Sequence, residues 1–195
     1  LVVEAGGIAG CFVGPPAETW RQAALLSARR HIVWLDEPVD RLLAIMPSMY
    51  DDLWTAAKGA YKAEPAMADD GEVVLWAPHV TEVSRVHGAL IEEVGYHCKA
   101  YFTAQWKRFS GYPGGILAHS THVKGLGTFD PVSGIERPRI RVTLATGIVE
   151  DRCHRINLGY RDPASIDPER WADEAPGRSL VVPRAGEMLY RVGRP

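Results

Sequence analysis

Short apolar runs alternate with stretches of helical period along most of this chain, and that alternation is the strongest constraint on its fold. "RLLAIMP" (41–47) reads as a buried-type strand, and "GEVVLWAP" (71–78), "GGILAHS" (114–120) and "RIRVTLATG" (139–147) read as three more strands. Helical patterns over 50–64, 84–95 and 97–109 lie between them. Strands separated by helices make βαβ units, because a parallel pair needs a crossover long enough to hold a helix. The expected fold class is therefore α/β, a mostly parallel sheet with helices on both faces in a Rossmann-like three-layer arrangement. "VEDRCHRINLGY" (149–160) predicts one more short helix, "ERWADE" (169–174) a shorter one, and "SLVVPRAGEMLYRV" (179–192) two final strands.

Ahead of this pattern, "LVVEAGGIAGCFVG" (1–14) predicts a β-hairpin turning at Gly6-Gly7, where the positive φ of a tight turn is easily adopted. It is not a dinucleotide loop: Pro15-Pro16 follow the second strand where that fingerprint needs a helix. Residues 17–31 predict an amphipathic helix with Trp20, Ala24 and Ser27 on one side, and "VWLDEPVD" a connector. The domain reading is a hairpin and helix over 1–35, linking to a missing N-terminal catalytic domain, and an α/β C-terminal domain over 36–195. The 195 residues suffice for one sizeable core.

A net charge of −2 gives no electrostatic reason to expect nucleic acid or an anionic membrane as partner. No apolar run is long enough to span a bilayer. Three scattered cysteines (Cys11, Cys98 and Cys153) form no disulfide framework and suggest a reducing compartment, so a cytoplasmic location is expected.

Open parallel sheets bind ligands beyond the carboxyl ends of their strands. On the strand assignments above, that edge gathers His79, His119, His122, Lys124 and Thr146, with Lys58 from the first helix. His119 and His122, spaced H-x-x-H, could place two ligands on one helical turn, but a metal site wants at least a third ligand. Phe102 with Trp106, and likewise Trp76 and Tyr190, read as core. Ser48-x-x-Asp51 has the form of a capping box. On the helix that follows, Asp51, Trp54, Thr55, Lys58, Tyr61 and Lys62 form one polar and aromatic stripe beside the apolar one. Lys58 is open to two readings there: an ammonium snorkelling over Trp54 into solvent, or an anchor for a carboxylate.

"VVEAGGIAGCFVG", "PPAETWRQAA", "LLAIMPSMYDDLWTAAKG" and "EPAMADDGEVVLWAP" together resemble the C-terminal domain of the nickel-dependent lactate racemase family. The resemblance implies an isomerase that inverts C2 of a small 2-hydroxy acid by hydride transfer to a nickel-pincer nucleotide. It places that cofactor and the proton-transferring histidines on the N-terminal domain, the chain's own partner, leaving no catalytic residue here and a fragment inactive alone. Lys58 matches the family's lysine that helps hold the substrate carboxylate. Trp54 and Thr55 stand where Tyr-Gln is common, and Trp106 matches a tryptophan lining the cleft. The shorter Thr55 leaves room for a bulkier hydroxy acid or a sugar acid. Two other readings remain: a non-enzymatic small-molecule-binding α/β domain, and a metal-dependent enzyme built on His119 and His122.

Overall fold

A computed structural model describes residues 1–174 and 177–193. The chain opens with an antiparallel hairpin, β1 (Val2–Glu4) and β2 (Gly7–Gly10), then helix α1 (Pro16–His31). Strand β3 (Ile32–Leu35) leads into β4 (Val39–Ile45), two helical turns α2 (Leu53–Ala56) and α3 (Lys58–Tyr61), and the long β5 (Met67–Ala77). Four helices follow: α4 (Gly88–Val94), α5 (Lys99–Ala104), α6 (Trp106–Phe109) and α7 (Gly114–Lys124). A second hairpin, β6 (Gly127–Asp130) with β7 (Ile135–Pro138), precedes β8 (Arg141–Thr146), α8 (Glu150–Arg155) and β9 (Gly159–Tyr160). The last strands are β10 (Ser179–Val182) and β11 (Leu189–Val192).

The central sheet has five strands in the order β10-β4-β5-β8-β9, every neighbouring pair parallel. Its strands are apolar on both faces because both are covered. Leu42, Val73, Leu75, Val142 and Leu144 point into the large core beneath the helices. The alternating residues Leu43, Val74 and Ala145 meet Ile166 and Trp171 on the other side. This is the expected Rossmann-like α/β architecture, with the second helical layer reduced to two 3-10 turns, Pro163–Ser165 and Trp171–Asp173. Gly95 closes α4 at φ +72, as its position suggested.

Several local expectations are corrected. "GGILAHS" is not a strand but the first two turns of α7. Its buried residues, Ile116, Leu117, Ser120 and Val123, recur at helical period. The buried Ser120 hydroxyl donates to Gly95 O and accepts from His97 N, so a polar group fits in that core. The connector after α1 contains a strand, β3, paired in parallel with β11. The run 97–109 breaks at Gln105, whose φ of −113° and ψ of 30° end α5 and restart the helix as α6. The phase shift separates Phe102, which is buried, from Trp106, which is 56% exposed. The helix over 17–31 forms but buries none of its residues, and Trp20 is 72% exposed.

Helix α3 lies unusually close to the sheet. A Cβ at Gly59 would stand 2.5 Å from Met46 Sδ and 2.7 Å from Leu75 Cδ2. Glycine is what lets the helix bearing Lys58 sit down on β4 and β5. Gly59→Ala is expected to destabilise the chain by about 1–3 kcal/mol through overpacking. Gly115→Ala, where a Cβ meets nothing within 4 Å, should be neutral or stabilise by up to about 1 kcal/mol. Urea midpoints of the two variants check the contrast.

Candidate functional site

The loops after β4 and β5 are knitted together at the carboxyl edge. Leu53 N and Trp54 N, orphan donors in the first turn of α2, donate to Glu82 O and Val83 O at 2.9 Å each. Asp52, only 7% exposed, caps the same turn. Its Oδ1 accepts from Thr55 N at 3.0 Å and from the Thr55 hydroxyl at 2.9 Å, and its Oδ2 accepts from Arg85 N at 3.3 Å. Asp52, rather than a Ser48–Asp51 box, is therefore the N-cap. It succeeds because its φ/ψ of −145°/167° aims the carboxylate back along the helix axis. His79 adds one more tie, from Nε2 to Tyr50 O at 3.1 Å.

This frame fixes where Lys58 stands. It is half-buried, with Nζ 5.5 Å from the centre of the Tyr50 ring. Among the described residues its ammonium has no hydrogen-bond or ion-pair partner. Gly186, at φ +88 after β10, presses on both groups: a Cβ there would lie 3.0 Å from Tyr50 Oη and 3.2 Å from Lys58 Cβ. Burial, then the charge of Glu187, pushes the Tyr50 phenol above its ordinary pKa, so it stays protonated. One turn on, Lys62 donates from Nζ to Glu187 O at 3.0 Å.

The other expected residues divide. The Thr55 hydroxyl is used by the cap, donating to Asp52. Trp54 packs away from Lys58, stacked on His119 with ring centres 3.8 Å apart and tilted against His87. Thr146 is at the carboxyl end of β8 but buried, its hydroxyl accepting from Ile148 N. His79 lies at the expected edge.

His119, His122 and Lys124 do not sit on a loop of that edge, because the strand expected to end there is α7. His119 lies midway along the helix, donating from Nε2 to Trp54 O at 3.0 Å. Burial pushes its pKa down, and its Nδ1 is buried without a partner. His122 and Lys124 come near the amino edge: Arg139, just before β8, donates to Leu126 O, and Leu126 N donates to Glu64 just before β5. His122 lines a groove of about 820 Å³ with Tyr61, Lys99, Thr103 and Leu126. Lys124 is spent on Asn157 O at 2.6 Å. With His119 committed to a carbonyl, the H-x-x-H pair does not converge. Among the described residues no three His, Cys, Asp or Glu side chains are placed to hold a metal.

One polar cluster was missed altogether. Glu136 of β7 accepts from His97 Nδ1 at 2.8 Å, from Cys98 N at 2.6 Å and from Asn157 Nδ2 at 3.0 Å, while Asn157 also donates to Tyr96 O. His97 stacks on Tyr101 at 3.6 Å. The cluster ties hairpin β6–β7 to α5 and to the turn before β9. Its hydrogen-bonded partners are 21 to 61 residues apart, so no local pattern announced it.

Comparison with known proteins sets this geometry in context. A protein from Thermotoga maritima of known crystal structure matches over 91% of this chain and 42% of its own, at 36% sequence identity and a TM-score of 0.82. The lactate racemase apoprotein from Thermoanaerobacterium thermosaccharolyticum matches over 97% of this chain and 44% of its own, at 12% identity and a TM-score of 0.63. The second likeness is one of fold. The chain thus spans less than half the length of either protein. No protein-family model matches it, and no curated protein does. Among the described residues no helix is long and apolar enough to cross a membrane.

The Glu136 cluster makes stability depend on pH. Burial alone would raise the pKa of this carboxyl; the hydrogen bonds from His97 and Cys98 N outweigh it and hold the value at about 2. A carboxyl depressed by folding adds stability above its unfolded pKa and loses it as pH falls through the folded value. Urea unfolding should show stability draining away from about pH 5 downward. Glu136→Gln should be less stable at pH 6 and show a flatter slope over that range.

Proposed function

We propose that this chain is the C-terminal, substrate-contacting domain of a lactate racemase-like isomerase acting at C2 of a 2-hydroxy acid, with Lys58 as the anchor for the substrate carboxylate. The observation that carries the proposal is Lys58 itself. Its stem is half-buried, and among the described residues its ammonium has no hydrogen-bond or ion-pair partner, so it is free to meet an anion. It lies where parallel sheets take ligands, in a fold shared with a lactate racemase apoprotein.

The chain's own part in this reading is to bind and orient. The Asp52 cap and the Gly59 contact hold the helix that carries Lys58, and the Tyr50 ring keeps water from one side of the ammonium. Thr55 is short and engaged by the cap, so it leaves space for a substituent on C2 rather than donating a hydrogen bond. Trp54 supports the helix through His119, and the exposed Trp106 is the proposed cleft wall.

Among the described residues no donor set fits a nickel site, and this reading assigns the nickel-pincer nucleotide and the groups that move hydride and proton to a separate N-terminal domain of the longer protein. The isolated domain is then inactive.

The test uses that longer protein with its cofactor, a panel of chiral 2-hydroxy acids and chiral separation of the products. Lys58→Met should raise the half-saturating concentration about tenfold or more, the loss expected for a charge-assisted hydrogen bond, and change the maximal rate far less. The same substitution should leave the thermal midpoint of the chain nearly unchanged, since Lys58 gives up no hydrogen bond or ion pair among the described residues. An unchanged half-saturation across the panel would sink the carboxylate role. Binding without turnover would favour a non-enzymatic binding domain.

A further inference from the structure

Lys58 is not alone. Lys62 lies one turn further along the same face, at the i,i+4 spacing at which like charges repel. Both are half-buried. Among the described residues neither meets a carboxylate. Glu187 comes nearest, yet its carboxylate is taken by Arg184, at 3.0 and 3.1 Å from Nε and 2.6 Å from Nη2. Only its backbone carbonyl reaches Lys62.

The segment after β10 holds the two lysines side by side. Gly186 packs on the Lys58 stem, and the next residue, Glu187, accepts from the Lys62 ammonium. Consecutive Cα atoms are about 3.8 Å apart, so both side chains run along one short strap. Burial, then the nearby charge of Lys58, pushes the Lys62 pKa down, against a smaller opposing effect of Glu187. One carboxylate neutralises one of the two lysines; two are needed for both. A helix turn is about 5.4 Å long, a span that the two carboxylates of a short-chain diacid can bridge.

We infer that Lys62 is a second anion contact beside Lys58, and that the acid taken at this site is a 2-hydroxy dicarboxylate rather than a monocarboxylate. The inference rests on the reading of Lys58 as carboxylate anchor. Lys58 would take the carboxylate beside the hydroxyl-bearing carbon, and Lys62 the distal one, making Lys62 a specificity-determining residue.

Calorimetric titration of the longer protein, loaded with its cofactor, with malate and with lactate at equal ionic strength tests it. Malate should bind about threefold to fivefold more tightly, the size of one added ion pair at a half-exposed site, with the margin narrowing as salt is added. Lys62→Met should abolish that margin, weakening malate far more than lactate. Lys62→Arg should retain it, and so should Lys107→Met, which removes a remote exposed charge. Equal affinity for the two acids, a margin that survives Lys62→Met, or a margin lost equally in Lys107→Met overturns the inference while leaving the role of Lys58 standing. If Lys58→Met leaves both affinities unchanged, the reading of Lys58 falls and this inference with it; if neither acid binds saturably, this inference is overturned.

Discussion

The capping of α2 by Asp52 is the interaction on which the site depends. A helix of so few turns has little intrinsic stability, and its direction is set by how its first donors are satisfied. Here the donors are met from two sources at once: the side chain of Asp52, and the carbonyls of Glu82 and Val83 from the neighbouring loop. Because that loop follows β5, the cap couples the ends of two adjacent strands to the start of one helix. The orientation of Lys58 is thus inherited from the sheet through backbone hydrogen bonds rather than from side-chain packing alone. Gly59 completes the arrangement by letting the helix settle onto β4 and β5.

Much of the fold was legible, for a definite reason. Strands buried on both faces are apolar almost throughout, and 41–47, 71–78 and 139–147 all proved to be strands of one parallel sheet. The run 114–120 looked the same over its few residues, because Ile116 and Leu117 adjoin each other in either reading. Only the extension to Ser120 and Val123 reveals the helical period, and a buried serine does not announce itself as core. The second hairpin escaped notice because its strands are short and half exposed. Its signal was nonetheless present in "DPVSG", where Asp130 accepts from Val132 N and Ser133 Oγ and Gly134 turns at φ +71.

The candidate site was legible in part. The stripe through Lys58 needed only helical spacing, so it could be seen. What Lys58 lacks in partners, and what Thr55 and His119 have already given theirs to, are facts of tertiary geometry. Thr55 and Asp52 are three residues apart, yet their bond depends on an extended backbone at Asp52 that no pattern required. The histidines of α7 show the opposite hazard: an H-x-x-H spacing suggests chemistry, whereas here one imidazole is a rung between two helices, stacked on Trp54 and bonded to its carbonyl.

The strand order carries a consequence for how such a chain is made. The strand that flanks β4 on its outer side is β10, and β3 finds its partner only in β11. On a ribosome, β4 emerges with one side of its ladder open and stays so until well over a hundred further residues have been added. Contacts of that sequence separation slow folding and leave an exposed parallel edge in the interval. The central sheet is therefore completed last on the flank nearest the Lys58 strap, so the segment that positions the proposed anion contacts is also the one whose arrival closes the fold.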